Sequence, residues 1–186
     1  MRPVTLLAVV LLVLLAGCGG IQLDPGANAP AARNATVVEV VDGDTVDVRF
    51  PDGSTDTVRL LGIDTPEVHA DPEPEEYEGV PNTDAGAACL RDAGERASAV
   101  LTDRLAGQDV RLEFDPAADL RGGYGRLLAY VIHDGTNLNY WLIERGDARV
   151  YDAEFTRSGE FYAAESAAVA ANRGLWNCTS AGETAG

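Results

Sequence analysis

The sequence has 186 residues, enough for one domain with a single core, and its 14 basic and 30 acidic side chains give a formal net charge of −16. Every basic side chain is arginine, and lysine is absent. A surface this acidic repels nucleic acid at low salt. The composition therefore excludes a protein that binds polyanions through a generally basic surface.

The chain begins with a pattern typical of a secretory signal peptide. Residues 4–16 are almost wholly apolar, and Arg2 precedes them. Residues 15–18, Leu-Ala-Gly-Cys, resemble the lipobox of prokaryotic lipoproteins, in which the cysteine becomes the lipidated first residue. We therefore expect a signal peptide over 1–17, lipidation at Cys18 and export to the outer face of the cell membrane. An uncleaved anchor and a signal peptide with an incidental cysteine are the alternatives.

The segment after the lipobox predicts a tether. Residues 19–35 are rich in glycine, proline, alanine and asparagine and show no periodicity, so we expect a flexible, lipid-anchored tether over 18–35.

Two cysteines remain once Cys18 is assigned to lipidation. Disulfides persist in exported proteins, so we expect one bridge between Cys89 and Cys178. Two buried thiols are the alternative.

Short strands fill the first half of the domain. Residues 37–41 and 46–50 are β-rich segments on either side of Asp42-Gly43-Asp44, and 57–63 follows a second turn at 51–54. Turns this short predict an antiparallel meander of three strands.

The remaining elements alternate between helix and strand. Four prolines and many acids over 66–83 indicate an exposed loop, and apolar spacing predicts a helix over 84–106. Two further strands (110–114 and 127–132) and two helices (138–145 and 158–172) follow. The order predicts an α+β, mainly β fold: a five-stranded Greek-key barrel of the OB type with three helices over 36–177, and a tail at 178–186. Other α+β arrangements fit the pattern too.

Three segments contain the residues suited to chemistry. They are Val-Asp-Gly-Asp-Thr-Val at 41–46, Arg-Leu-Leu-Gly-Ile-Asp-Thr-Pro-Glu at 59–67 and Tyr-Gly-Arg-Leu-Leu-Ala-Tyr at 124–130. Each resembles a signature of the staphylococcal nuclease (thermonuclease) family, in that family's order, and the similarity runs from about residue 36 to 176. Taken alone, Asp44 fits a hairpin turn and Asp64 fits the cap of a corner.

The resemblance implies a calcium site at the ends of two adjacent strands. Asp44 and Asp64 supply hard carboxylate oxygens, as Ca²⁺ prefers, and the backbone carbonyl of Thr65 adds to them. The spacing of acids around Asp44 does not match an EF-hand.

The resemblance also implies that Arg59 and Arg126 clamp the scissile phosphate. A planar guanidinium can meet two non-bridging oxygens at once as negative charge develops on them. The alternative is a strand arginine with its head group in water, and we apply that interpretation to Arg121 and Arg149.

Glu67 follows Asp64 by three residues and is expected to be essential, either as a general base toward water or as a group that orients the water. Tyr124 and, by a looser alignment, Tyr151 are expected to contact the substrate. The family resemblance implies cleavage of DNA and RNA at the 5′-oxygen, leaving 3′-phosphate ends. We expect the protein to be a monomer.

The leading hypothesis is therefore a secreted, calcium-dependent nuclease. A non-catalytic OB-fold lipoprotein that binds nucleic acid and a lipid-anchored solute-binding or scaffold protein are the alternatives. An acidic, lysine-free nuclease meets its polyanionic substrate most easily where salt screens distant charges, which suggests a halophilic source.

Overall fold

The computed structural model describes residues 31–181 of the chain. The predicted signal peptide, Cys18, most of the predicted tether and the last five residues lie outside this range. Within it there are eight strands, three α-helices and two 3₁₀ helices. The strands are β1 (Ala32–Val40), β2 (Thr45–Arg49), β3 (Thr55–Leu60), β4 (Ile63–Asp64), β5 (Asp109–Glu113), β6 (Leu127–His133), β7 (Thr136–Asn137) and β8 (Arg149–Val150). The helices are α1 (Asp84–Leu105), α2 (Leu138–Arg145), α3 (Ser158–Ala170) and the 3₁₀ helices Pro74–Glu76 and Gly174–Ser180.

Five strands close into a barrel. The order β3-β2-β1-β5-β6 is antiparallel throughout, and a parallel pairing of β3 with β6 joins the two ends. Strand β1 pairs with a different strand at each end: residues 36–40 pair with β2, and residues 32–36 pair with β5. The pairing with β2 has a register shift between Val37 and Glu39. The predicted five-stranded OB-type barrel is confirmed.

The barrel interior is filled by alternating apolar side chains. Val46, Val48 and Val58 are fully buried on β2 and β3, as the two-residue period of a half-buried strand requires. Leu101 and Leu105 bring the last turns of α1 onto the same core. The alternation of apolar and polar residues in the sequence therefore determines which faces of β2, β3 and α1 pack into the barrel core.

Two buried polar groups connect the barrel to α2 and to the turn before α3. Asn139 on α2 donates to the carbonyls of Leu61 and Ala129 at 2.9 and 3.1 Å and accepts from Val131 N at 2.9 Å. Asp115 accepts from Tyr130 Oη at 2.7 Å and from the hydroxyl and amide of Thr156.

A second, smaller core lies beside the barrel. Cys89 on α1 and Cys178 in the C-terminal 3₁₀ helix are joined by a disulfide, and Tyr77, Leu90 and Trp176 pack around it. Residue 178 therefore belongs to the folded domain and not to the tail predicted over 178–186.

Three further predicted boundaries differ from the structure. Strand β1 begins at Ala32, so 32–35 belong to the barrel and not to the tether. The third strand ends at Leu60, because Gly62 takes a φ of +76° and turns the chain, and Ile63–Asp64 then pairs with β8 instead of continuing β3. The segment 66–83 is not simply an exposed loop, since it contains a 3₁₀ helix and buries Tyr77 and Val80.

Residues 31–181 include no helix with the length and apolarity needed to cross a membrane.

Candidate active site

Asp44 lies in the tight turn between β1 and β2 and is almost completely buried, with 2% of its surface exposed. Its Oδ1 accepts a hydrogen bond from Thr45 Oγ1 at 3.0 Å, and its Oδ2 accepts one from Thr65 N at 3.0 Å. An aspartate that served only as a turn residue would be hydrated and would need none of these hydrogen-bond donors from the protein. The buried carboxylate is therefore fixed in one orientation by the chain on both sides of it.

Gly43 is required by the close approach of that turn to the chain near residue 65. A Cβ at this position would lie 2.7 Å from Thr65 Oγ1 and 3.0 Å from the Cβ of Ala97 on α1. The Asp-Gly-Asp sequence thus serves packing as well as turn formation, because the missing side chain lets Asp44 and Thr65 meet.

Arg59 on β3 joins the two predicted calcium ligands. Its Nη1 forms an ion pair with Asp44 Oδ1, and its Nη2 donates to Asp64 Oδ1 at 2.6 Å. Only 18% of the Arg59 side chain is exposed, so its head group lies between carboxylates and not in water. The two Oδ1 atoms therefore converge within the span of one guanidinium.

Asp64 and Thr65 are brought to this point by the turn at Gly62 and by the pairing of β4 with β8. Thr65 is 5% exposed, and its amide and hydroxyl both face Asp44. Glu67 follows on the surface and lines the same cleft.

The opposite wall of the cleft is formed by the loop before β6. Arg126 Nη1 donates weakly to Thr45 Oγ1 at 3.4 Å, and its guanidinium carbon lies 5.6 Å from the centre of the Tyr124 ring. Tyr124 is 91% exposed and Tyr151 is 51% exposed, so both rings are open to a ligand.

These side chains share one open cleft of about 520 Å³. Six of the predicted site residues line it, and Asp44 lies buried behind Arg59. The lining residues from the predicted set are Arg59, Asp64, Glu67, Tyr124, Arg126 and Tyr151.

Arg149 on β8 also lines the cleft, and its interpretation as a strand arginine in water was wrong. Its Nη2 lies 2.8 Å from Asp64 Oδ2 and 3.3 Å from Glu76 Oε2. It also lies over the buried ring of Tyr77, where burial, reinforced by the charge of Asp64, raises the pKa of the Tyr77 hydroxyl. Arg121, by contrast, is exposed and pairs with Asp56.

The donor set fits calcium in chemical type. Asp44 and Asp64 each place one carboxylate oxygen against the guanidinium of Arg59, at its Nη1 and Nη2 atoms respectively, and Thr65 follows Asp64 in the chain. Within residues 31–181 no three or more His, Cys, Asp or Glu side chains form a cluster able to hold a metal. Since Ca²⁺ takes 6–8 oxygens, the fit is to a shared site, completed by water and phosphate oxygens, and not to an all-protein cage.

The comparisons with known proteins agree with this geometry. Residues 57–178 match the family model described as "Staphylococcal nuclease homologue". The chain is 40% identical over 148 residues to the uncharacterized protein MJ1439 of Methanocaldococcus jannaschii, which covers 76% of this chain and 70% of that protein.

Two named enzymes are also similar. Endonuclease YncB of Bacillus subtilis is 34% identical over 147 residues, with 77% of this chain and 62% of that protein covered, so the chain spans less than two thirds of YncB. Thermonuclease of Staphylococcus hyicus is 32% identical over 143 residues, with 76% and 74% covered. With its OB-type barrel, its cleft and a family match that includes Arg59, Asp64, Glu67 and Arg126, the chain belongs to the staphylococcal nuclease homologue family.

Proposed function

We propose that this protein is a calcium-dependent nuclease that hydrolyses phosphodiester bonds of DNA and RNA at the 5′-oxygen and leaves 3′-phosphate ends. Family membership supports the enzyme class, a nuclease hydrolase. The observation that most supports the mechanism is the convergence of Asp44 and Asp64 on Arg59, in a cleft that Glu67 and Arg126 also line.

The two arginines would bind the phosphate from different sides. Arg59 reaches the cleft from β3, and Arg126 reaches it from the loop before β6, with Tyr124 beside it. Within residues 31–181 Arg126 pairs with no carboxylate, and apart from its long bond to Thr45 Oγ1 its donors are free for a phosphate oxygen. Paired guanidinium groups stabilise the charge that builds on the non-bridging oxygens.

Asp44, Asp64 and the carbonyl of Thr65 would hold the calcium ion. When bound, the ion supplies Lewis-acid polarisation of a phosphoryl oxygen and helps to position the attacking water. Thr45 and the Thr65 amide keep Asp44 in place through their hydrogen bonds.

Glu67 would accept the proton of the attacking water or orient that water. Its carboxylate lines the cleft three residues after Asp64, and Pro66 between them stiffens the turn. The proton would then pass to solvent, because Glu67 is exposed, and the departing 5′-oxygen would take a proton from solvent in the open cleft as its bond to phosphorus breaks.

The test is cleavage of plasmid DNA and of RNA by the full chain, with Ca²⁺ or with a chelator. Glu67→Gln and Arg126→Ala should each lose most activity, whereas Glu75→Gln and Arg145→Ala, which lie outside the cleft, should not. The 3′-phosphate is checked by primer extension, which should require prior phosphatase treatment. Cleavage in chelator, or full activity in both site variants, would refute the mechanism. DNA binding without any cleavage would favour the non-catalytic alternative.

We also propose that the enzyme is exported and anchored through Cys18. The apolar run at 4–16, the lipobox-like Leu-Ala-Gly-Cys and the disulfide, which persists in oxidising compartments, support this. Membrane fractionation compares the chain with Cys18→Ser, and the variant should leave the membrane fraction. An unchanged distribution would exclude lipidation as the anchor.

We further propose a halophilic setting, since the net charge of −16 opposes a polyanionic substrate at low salt. At about 1 M salt the Debye length is about 3 Å, so repulsion from distant surface charges is screened. The KM for DNA should fall as KCl rises from about 0.1 to 2 M, opposite to the counterion-release behaviour of basic proteins. A KM that rises with salt would refute this proposal.

A further inference from the structure

Arg149 lies directly opposite Asp64 in a small sheet of two strands, each two residues long. Strands β4 and β8 pair antiparallel, with Ile63 opposite Val150 and Asp64 opposite Arg149. Opposite charges at facing positions attract across a sheet, and here the contact is a direct one of 2.8 Å between Arg149 Nη2 and Asp64 Oδ2.

The two carboxylate oxygens of Asp64 have different partners. Oδ1 contacts Arg59, whose other amino group holds Asp44, so Oδ1 belongs to the pair of oxygens that converge. Oδ2 contacts Arg149 instead. A ligand that replaces the Arg59 guanidinium between Asp44 and Asp64 leaves the Oδ2 contact with Arg149 intact.

Arg149 is itself held by the acidic segment, which we define as residues 73–78. Glu76 Oε2 lies 3.3 Å from Arg149 Nη2, and the Tyr77 ring centre lies 5.1 Å from its guanidinium carbon. Tyr77 is 3% exposed and packs in the second core beside the disulfide. The acidic segment thus links a rigid core to the carboxylate of Asp64 through one arginine.

We propose that Arg149 is a positioning residue of the active site. It holds Oδ2 of Asp64, so that Oδ1 stays directed at the position shared with Asp44, and the acidic segment anchors it there. This inference rests on the proposed calcium site. Loss of a hydrogen-bonding partner behind a metal ligand reduces metal affinity about 10- to 100-fold.

A purely electrostatic role of Arg149 predicts the opposite change in calcium affinity on its removal. Arg149 carries a positive charge close to a proposed Ca²⁺ ligand, and its removal would by itself strengthen cation binding. A weaker calcium affinity in the variant therefore identifies positioning, because charge alone cannot produce it.

The test is calorimetric titration of the full chain with Ca²⁺, without substrate. Arg149→Ala should raise the Kd about 10- to 100-fold. The matched control is Arg145→Ala, since Arg145 also pairs with an aspartate (Asp147, 2.6 Å) and lies over an aromatic ring (Trp141, 4.7 Å), but outside the cleft. It should leave the Kd unchanged. Glu76→Gln should raise the Kd in the same direction by at most about fivefold, as expected for a half-exposed pair.

Activity supplies a second readout. The calcium concentration for half-maximal cleavage should rise in Arg149→Ala, while kcat at saturating calcium should return to within a few-fold of the wild type. If Arg149→Ala does not fold, as judged by circular dichroism, Arg149→Lys is used. Its Kd should also rise, because a compact ammonium cannot reproduce the planar guanidinium that lies over the Tyr77 ring and contacts Asp64 and Glu76.

The outcomes separate the two proposals. A wild-type chain that binds calcium, with an unchanged or lower Kd in the Arg149 variant, overturns the positioning role and leaves the nuclease proposal standing. A wild-type chain that binds no calcium and cleaves in chelator overturns both.

Discussion

Replacing Arg59 with methionine tests whether the guanidinium compensates the energetic cost of burying the Asp44 carboxylate. Asp44 is 2% exposed, and Arg59 is its only cationic partner within residues 31–181. Methionine keeps much of the apolar stem, so the change removes charge with little loss of volume. The variant leaves one buried carboxylate without a counter-charge and removes one partner of Asp64.

The expected cost is large. Breaking a buried ion pair by removing one partner costs about 3–5 kcal/mol. The hydrogen bonds that Asp44 keeps from Thr45 and from the Thr65 amide compensate part of the lost interaction. We therefore expect the free energy of unfolding in chelator to fall by about 3 kcal/mol, near the lower end of that range.

Calcium should reverse most of this loss. In the variant the ion meets two carboxylates without having to displace a guanidinium, so it should bind more tightly than to the wild type. At a calcium concentration of a hundred times Kd, binding stabilises the folded state by about 2.7 kcal/mol. The wild type should gain less at the same calcium concentration.

The assay is urea unfolding followed by tryptophan fluorescence, in chelator and in Ca²⁺, for the wild type, Arg59→Met and Arg49→Met. Arg49 is an exposed arginine on the neighbouring strand, and its substitution should change stability by no more than about 0.5 kcal/mol. A loss below about 1 kcal/mol for Arg59→Met, or equal calcium stabilisation of wild type and variant, would refute the reasoning.

Three further predictions concern the scaffold. Replacing Cys89 and Cys178 by serine should lower the free energy of unfolding by up to about 4.5 kcal/mol, because the bridge spans a sequence separation of 89. Urea unfolding with and without reductant measures this, and a wild type insensitive to reductant would contradict it. Burial acts to raise the pKa of Asp115, but hydrogen bonds, first from Thr156, outweigh it and lower the pKa. The Asp115 carboxylate therefore stabilises the folded state above the ordinary carboxyl pKa, and this stabilisation is lost as pH falls through the lowered pKa. Below about pH 4 the free energy of unfolding should thus fall less steeply with acidification in Asp115→Asn than in the wild type. Unfolding at several pH values checks the slope, and parallel curves would contradict it. Asn139→Leu should cost about 2 kcal/mol or more, because it removes the partner of the Leu61 carbonyl and of the Val131 amide in the core, whereas the Ala129 carbonyl keeps its bond from Leu61 N. A thermal melt within a degree of the wild type would contradict this.

Local patterns were sufficient to predict the strands, whereas the choice of an OB-type barrel over other α+β arrangements depended on the family resemblance. Two-residue alternation at Val46, Val48 and Val58 gives the buried faces of β2 and β3, and short turns force their antiparallel pairing. The end of the third strand was missed because it depends on one backbone angle, the φ of +76° at Gly62. Glycine adopts that angle as readily as an extended one, so the sequence does not specify which occurs.

Arg149 was misinterpreted for a related reason. Its partner Asp64 is 85 positions away, and the two meet only because a two-residue strand pairs with another two-residue strand. Strands that short have no periodicity to detect. The one available signal was the acidic segment, where Tyr77 stands among four glutamates at 73–78 and is buried against the second core. An aromatic residue inside an acidic, proline-rich stretch indicates that the stretch packs against the domain. The burial of Tyr77 brings the preceding Glu76 next to Arg149.

The cleft resolves the apparent conflict between an acidic protein and a polyanionic substrate. Three arginines line it (Arg59, Arg126 and Arg149) beside three carboxylates (Asp64, Glu67 and Glu76), and the buried Asp44 pairs with Arg59, so the site holds only a small part of the net charge of −16. The excess negative charge is therefore distributed over the rest of the molecule. Salt screens exposed charges that lie more than a Debye length from the substrate, whereas partly buried charge pairs are screened much less. High salt should accordingly ease the approach of the substrate to the cleft while the contacts within it persist.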